Sequence, residues 1–282
     1  MIKKSLFQCP VCSEPLYQGI KQYYCINKHQ FDIARKGYVN LLLPYHTGKG
    51  EPGDSKEMIQ SRKEFLDKGY YEEFSNRLNE LALLETSATE AEELNLIDVG
   101  CGEGYYPWRL KNKISSLNRW KGVNIYGLDV SKPAIRFASG RDKDIRFAVA
   151  STYHLPIISS CMDLILCIFA PRNENEFKRI LKPTARLVVA APGSQHLYSL
   201  KKELYGEANL IGPKGTVREG FRLINLANVS YCIELKETAD ILNLLMMTPY
   251  CRHVDSRIME RVRKLSELIT EVDINIMVYQ RE

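Results

Sequence analysis

The chain has 282 residues, is 45% hydrophobic and 26% charged, and carries a formal net charge of +5. This is ordinary globular composition with enough apolar residue for a core, so a disordered, collagen-like or disulfide-scaffold chain is excluded. At roughly 150 residues per domain, the length fits one large domain with a small one.

The longest apolar runs, such as Leu164 to Ala170 and Leu187 to Ala191, are far short of the ~20 residues that a membrane span needs. Met1 to Phe7 has two lysines but no apolar stretch behind them, unlike a secretory signal. A soluble cytoplasmic protein with no membrane partner is expected. The charge is uneven. Residues 1–63 hold ten Lys and Arg against five acids, which is the whole net charge. Such a basic end suits a polyanionic partner, although a solvated lysine-rich surface would read the same way.

In chain order, the first signal is metal-like. Cys9-Pro-Val-Cys12 and Cys25-Ile-Asn-Lys-His29 are two close ligand pairs, twelve residues apart. Such pairs converge four borderline-soft donors on a tetrahedron, which suits zinc. With all four positions filled by protein, the ion would be structural, supplying folding energy to a module too small for its own core. Gln22-Tyr23-Tyr24 reads as a strand leading into the second pair. Without an export signal, a disulfide framework is not expected. Cys101, Cys161, Cys167, Cys232 and Cys251 lie singly and read as packing residues. The stretch from Phe31 to Leu42 mixes bases with aromatics that could stack on nucleobases, or Phe31 and Tyr38 could form the module's own core.

Gly48 to Asp54 reads as a flexible loop or linker. Residues 55–85 show helical spacing, with Met58, Ile59, Phe65, Leu66, Leu78, Leu81 and Leu84 apolar, broken at Gly69. Glu85 to Glu93 reads as an acidic surface connection.

Next comes a buried-type strand, Leu94 to Val99, running into Gly100-Cys101-Gly102-Glu103-Gly104-Tyr105-Tyr106 and a helix. A second strand, Val123 to Leu128, ends in Asp129. Glycines let the backbone approach a ligand closely at the carboxyl edge of a parallel sheet. A dinucleotide site cradles a pyrophosphate and avoids fixed negative charge. Here Asp98 and Glu103 bracket the turn with no Lys or Arg between them, and the spacing is G-x-G-x-G. That pattern repels phosphates and welcomes the cationic ammonium and sulfonium end of S-adenosylmethionine. Asp129 is placed to accept the ribose hydroxyls, and Ala150-Ser151, after a third strand at Ile145 to Ala150, to lie over the adenine.

Met162 to Phe169 reads as the fourth strand, Glu174 to Leu181 as a helix and Arg186 to Ala191 as the fifth strand. Phe169-Ala170-Pro171 would face the methyl group and the target. A strand at Val229 to Leu235, helices at Thr238 to Met247 and Arg257 to Ile269, and a strand at Val272 to Tyr279 complete an α/β doubly wound sheet with an antiparallel edge.

Together these pieces resemble the bacterial 23S rRNA (guanine-N1)-methyltransferases of the RlmA type, over most of the chain from about Cys9 to the end. The resemblance is carried by the Cys9, Cys12, Cys25, His29 cluster, by His29 to Asp32 with Gly37 to Leu41, and by Pro52-Gly53-Asp54-Ser55. Asp98 to Tyr106, Gly127 to Lys132 and Met247-Thr248-Pro249 add to it. It implies a class I methyltransferase with a mostly parallel seven-stranded sheet. The domains would be a zinc-binding RNA-recognition domain at 1–45, a linker and helical segment at 46–90 and an S-adenosylmethionine-dependent domain at 91–282.

The resemblance further implies a homodimer acting on a guanine in a 23S rRNA hairpin loop. It makes Tyr71 and His196 cofactor contacts beside Gly100, Gly102, Gly104, Tyr105 and Tyr106. From the residues alone, Tyr71 reads as helix packing and His196 as a loop histidine. The catalytic base is unknown. The sequence departs from the family at Lys182-Pro183-Thr184-Ala185, where Lys-Pro-Gly-Gly is usual, and at Phe169, where a tyrosine is usual. Pro107 also stands where a hydroxyl residue is common. Two other readings are a small-molecule methyltransferase whose zinc module serves dimerisation, and a non-catalytic zinc adaptor.

Overall fold

A computed structural model describes residues 3–43, 52–84, 93–206 and 220–282. The connection read at Glu85 to Glu93, except its last residue, lies outside the described residues, as does most of the Gly48 to Asp54 stretch.

The chain opens with four short antiparallel strands in sequential order: β1 (Lys3–Gln8), β2 (Pro15–Gln18), β3 (Gln22–Tyr24) and β4 (Gln30–Asp32). The ligand pairs sit in the β1–β2 and β3–β4 connections. Each turns tightly through a residue in the left-handed region, Ser13 (φ 62°) and Lys28 (φ 65°). The Ser13 and Lys28 amides donate back to the Cys9 and Cys25 carbonyls at 2.9 and 3.0 Å.

Strands this short cannot bury a core among themselves, so the module uses the body as its second layer. Phe7 is fully buried, edge-on to Tyr23 (5.5 Å) and Tyr126 (5.0 Å). Gln8 donates to the Pro156 carbonyl at 2.8 Å and Ile158 to that of Leu6 at 3.0 Å. The module then ends in β5 (Val39–Asn40), which joins the main sheet by pairing parallel to β8 (Arg146–Val149). Tyr38 is buried in the core shared with α1 and α2, and Phe31 is half-buried against the separate cluster around Phe7 and Tyr23, so both serve packing.

Two helices follow, α1 (Lys56–Asp67) and α2 (Glu72–Leu84). Ser55 caps α1 by accepting from the Met58 amide. Gly69, at φ 85°, breaks the helical run as the sequence predicts. Met58, Ile59, Phe65 and Leu66 bury one face of α1, and Phe74, Leu78 and Leu81 one face of α2. The last residues of the expected flexible loop are anchored instead. A Cβ on Gly53 would lie 2.8 Å from that of Ser131, and Asp54 pairs with Arg62 (2.7 Å) and Arg252 (3.0 Å).

The body alternates β6 (Glu93–Val99), α3 (Tyr105–Leu117), β7 (Gly122–Asp129), α4 (Lys132–Arg141), β8, β9 (Met162–Ile168), α5 (Glu174–Ile180) and β10 (Leu181–Pro192). It finishes with α6 (Tyr198–Tyr205), β11 (Phe221–Leu235), α7 (Thr238–Met246), α8 (Ser256–Arg263) and β12 (Leu268–Arg281). The sheet order is β11-β12-β10-β9-β6-β7-β8-β5. All seven residues of β9 are buried, as a strand covered on both faces requires. Strands β5 to β10 pair in parallel. The chain builds outward from β6 in one direction, then returns to lay β9 on its other side. The crevice at the strand ends between β6 and β9 is therefore the topological switch point.

The expected doubly wound class holds, with three differences. The sheet has eight strands, because the N-terminal module lends β5. The antiparallel strand, β12, lies one place in from the edge, paired with β10 and β11. The helix expected to reach Ile269 stops at Arg263, and Leu268 and Ile269 open β12. There the ladder to β11 claims Leu268, Thr270 and Val272, overriding the helical spacing of the leucines. Thr184 adopts φ 62°, which explains why glycine is usual at that turn.

Because Phe7 joins both layers, Phe7→Ala is expected to cost about 3–5 kcal/mol, read as a lowered urea midpoint. An unchanged midpoint would mean that the seam contributes little.

Candidate active site and metal centre

Cys9, Cys12, Cys25 and His29 converge, with their ligand atoms all within 4.8 Å of one another. Cys12 Sγ and Cys25 Sγ are 3.7 Å apart, and His29 Nδ1 lies 3.6 and 3.4 Å from the Cys9 and Cys25 sulfurs. Tetrahedral zinc with ordinary bond lengths sets S–S edges of about 3.8 Å and S–N edges of about 3.6 Å. The donor set and spacing fit zinc, and four protein ligands leave no open position for chemistry. Among the described residues no second cluster of this kind occurs. Cys101 and Cys167 are buried as expected of packing residues, whereas Cys232, also read as packing, is exposed on β11.

The other site lies at the switch point. β6 delivers Asp98, and the turn after it needs its glycines. Gly100 (φ 81°), Gly102 (φ 55°) and Gly104 (φ 85°) are all left-handed. A Cβ on Gly100 would stand 2.4 Å from that of Ala170, and one on Gly104 2.9 Å from that of Ala138. The Gly100 and Cys101 amides both donate to the Leu128 carbonyl, at 2.8 and 2.9 Å, tying the turn to β7.

At the end of β7, Asp129 accepts from the Gly102 amide on one oxygen and the Ser131 amide on the other, at 2.9 and 2.8 Å. Each oxygen keeps a lone pair for a further donor. Burial raises its pKa while those two amides act against the rise. Ala150 follows β8 and donates its amide to the Asp129 carbonyl at 2.9 Å. Ser151, half-buried, comes next and accepts on its hydroxyl from Tyr153 at 3.2 Å.

The two acids of the turn differ in their surroundings. Glu103 is buried but answered by Arg141, whose guanidinium lies 2.6 Å away. Asp98 is fully buried, and neither of its carboxylate oxygens has a hydrogen-bond partner. Burial first, then the charges of Asp129 and Glu103, hold its carboxyl well above the usual range. Asp98 and Glu103 thus flank the turn as expected, but a distant cation answers one of them, which the local sequence does not show. Arg141, from α4, neutralises Glu103, and Asp98 alone stays uncompensated. A cation also borders the turn: a Cβ on Gly102 would stand 3.3 Å from the Arg62 guanidinium. Arg62 is engaged by Asp54 and by the Met247 carbonyl at 3.0 Å. Sequence reasoning passed over Arg62, although Asp54 eight residues earlier supplies its partner.

An aromatic wall closes the far side. Tyr71 is buried with its hydroxyl 3.4 Å from His196 Nε2. The Asp273 amide donates to His196 Nδ1 at 3.2 Å, which leaves the ring proton on Nε2, toward Tyr71. Burial, reinforced by Lys201, pushes the His196 pKa down to about 4, so the ring is neutral. Phe169 (φ 53°) stacks on His196 at 5.8 Å and packs against Phe74 at 5.9 Å, yet is 42% exposed. Tyr106 is half-buried against Phe74. Tyr105 packs behind the turn between the Arg109 and Arg141 guanidiniums, each 5.6 Å from its ring. The wall and the turn meet where Ala170 touches Gly100.

A family model described as "RlmA, N-terminal" matches residues 7–48, and one described as "Methyltransferase domain" matches residues 90–241. The chain is 32% identical over 290 residues to a Micromonospora griseorubida protein provisionally named a 23S rRNA (guanine-N1)-methyltransferase, covering 93% of this chain and 92% of that one. It is 34% identical over 194 residues to the 23S rRNA (guanine(748)-N1)-methyltransferase of Streptomyces fradiae, covering 68% and 65%. A Bacillus subtilis relative with the same provisional name as the first is 32% identical over 215 residues, covering 72% and 70%.

The neutral His196 carries a pH dependence. Its pKa is lower folded than unfolded, so the unfolded chain gains a proton first. Stability falls as pH drops from about 6.5 to about 4 and levels off below, a loss on the order of 3 kcal/mol. His196→Asn should flatten that part of the stability–pH curve relative to wild type. Parallel curves would contradict the assignment.

Proposed function

We propose that this chain, which belongs to the RlmA family of 23S rRNA (guanine-N1)-methyltransferases, transfers a methyl group from S-adenosylmethionine to N1 of a guanine in 23S rRNA. The observation that carries the reading is the bare carboxylate of Asp98. A buried anion without a partner is costly, and a cationic ligand relieves that cost. A pyrophosphate in the same place would add to it.

When bound, S-adenosylmethionine supplies a methyl group made electrophilic by a positively charged sulfur. The side chains bind and orient. Asp98 draws the cationic end toward the turn, and Gly100, Gly102 and Gly104 let the ligand approach the backbone. Asp129 accepts the ribose hydroxyls on its remaining lone pairs, while Ala150 and Ser151 cover the adenine. The Tyr71 hydroxyl and His196 Nε2–H offer donors suited to a carboxylate. Tyr105 and Tyr106 complete the contact set, with Tyr105 supporting the turn from behind. The protein's main task is alignment of nucleophile, methyl and leaving sulfur.

Phe169, exposed and backed by His196, is a flat apolar surface beside the methyl position, where the target base stacks. Because it is phenylalanine, no hydroxyl acts there. N1 lies on the pairing edge, so the guanine must be unpaired, as in a hairpin loop. The N1 proton leaves before or during attack, and no side chain is assigned as its acceptor. The zinc module helps grip the rRNA, and the active assembly is a homodimer in the cytoplasm. No described helix is long and apolar enough to cross a membrane. The small-molecule reading is not favoured, because the relatives are named for rRNA and one spans nearly the whole chain.

Incubation with labelled S-adenosylmethionine and undermodified 23S rRNA tests this. Label is expected at guanine N1, with a primer-extension stop. Position 748, from the name of the Streptomyces fradiae relative, is the first to examine. Label absent from guanine N1 would overturn the reading. Asp98→Asn should weaken S-adenosylmethionine binding about 10- to 100-fold, as expected for lost hydrogen bonds to a charged group. The same change should leave the ligand-free protein about as stable, since it removes a buried carboxyl that is costly to ionise and already lacks a partner. Calorimetry and thermal unfolding read the two effects separately, and a large fall in stability would count against the role.

A further inference from the structure

We propose that the seam between the N-terminal module, α1 and α4 is a seat for the phosphate backbone of the RNA substrate, separate from the methyl-transfer crevice. The proposal rests on the RNA-methylation reading above. A cavity of about 470 Å³ opens there, and five cations line it: Lys36, Lys56, Lys63, Arg136 and Arg141. Three separate parts of the chain supply them. Lys36 comes from the module, Lys56 and Lys63 from α1, and Arg136 and Arg141 from α4.

Their charge is only partly answered. Arg141 pairs with Glu103 and Asp67, and Lys63 also pairs with Asp67. Among the described residues no carboxylate pairs with Lys36, Lys56 or Arg136, and all three side chains are exposed. The helices add to the field. α1 and α4 start side by side, since the Ser131 hydroxyl donates to the Asp54 carbonyl at 2.8 Å. Their positive ends therefore lie together at one end of the groove. Phe137, half-buried, gives the wall an apolar surface.

Uncompensated cations cost stability through mutual repulsion, and a chain of phosphates removes that cost by releasing its own counterions. A diffusely solvated lysine surface would spread its charge. Here Lys36, Lys56 and Lys63, from the basic residues 1–63, converge on two arginines more than seventy residues further along. The groove also adjoins the cofactor turn without opening into it, because Arg141 spans from the groove wall to Glu103. An RNA strand held there would leave the crevice at Phe169 free to take a guanine.

The test replaces the three unpaired cations together, as Lys36→Gln, Lys56→Gln and Arg136→Gln. Binding of an unmodified 23S rRNA hairpin transcript is measured by fluorescence anisotropy across a salt series, with S-adenosylhomocysteine binding measured by calorimetry. If each cation meets a phosphate, the slope of log K against log salt should flatten by about two to three, and affinity at 0.1 M salt should fall about tenfold or more. S-adenosylhomocysteine binding should not change. A triple variant that binds the transcript with wild-type affinity and slope would overturn the groove and leave the methyltransferase reading standing. A wild-type protein that does not bind the transcript would overturn the RNA reading, and the groove with it.

Discussion

The architecture at the switch point turns on a buried, unpartnered carboxyl at the end of β6. Asp98 is sealed from water and accepts no hydrogen bond. A fold relieves such a group by protonation or by a ligand, and only the second ties stability to function. The surrounding structure leaves that carboxyl without a counter-ion. Arg141 is spent on Glu103 and Asp67, and Arg62 on Asp54 and the Met247 carbonyl. Both guanidiniums sit near the turn, yet each is held by another acceptor. The ion pairs around the crevice thus leave both guanidiniums engaged away from Asp98.

Much of this was legible in the sequence. The glycines announced a left-handed turn, and the three of them do adopt positive φ. The convergence of Cys9, Cys12, Cys25 and His29 follows from their spacing, because two short turns leave little freedom for the donors between them. Asp98 and Asp129 were placed by their positions at the ends of strands, where side-chain direction follows from the strand itself.

The remainder depended on long-range contact. Nothing local tells Glu103 from Asp98; the difference lies in Arg141, thirty-eight residues away. Tyr71 and His196 meet across 125 residues, and the proton on Nε2 is fixed by a backbone amide on β12. The helical spacing read to Ile269 failed because the β11 ladder offers those residues a partner that sequence periodicity cannot see. The cationic excess of residues 1–63 has two readings in the sequence, and only the fold shows that Lys36, Lys56 and Lys63 gather beside α4.

The pairing of β5 with β8 gives the metal a role beyond its own module. On that side the two residues of β5, with the Leu41 amide bonded to the Val149 carbonyl at 3.0 Å, cover the rim of β8, and β5 begins only ten residues after His29. An uncovered rim presents open amides and carbonyls to any passing strand, including that of another copy. A metal held by Cys9, Cys12, Cys25 and His29 therefore also steadies the segment that shields β8, so the cluster bears on the sheet of the body as well as on its own module.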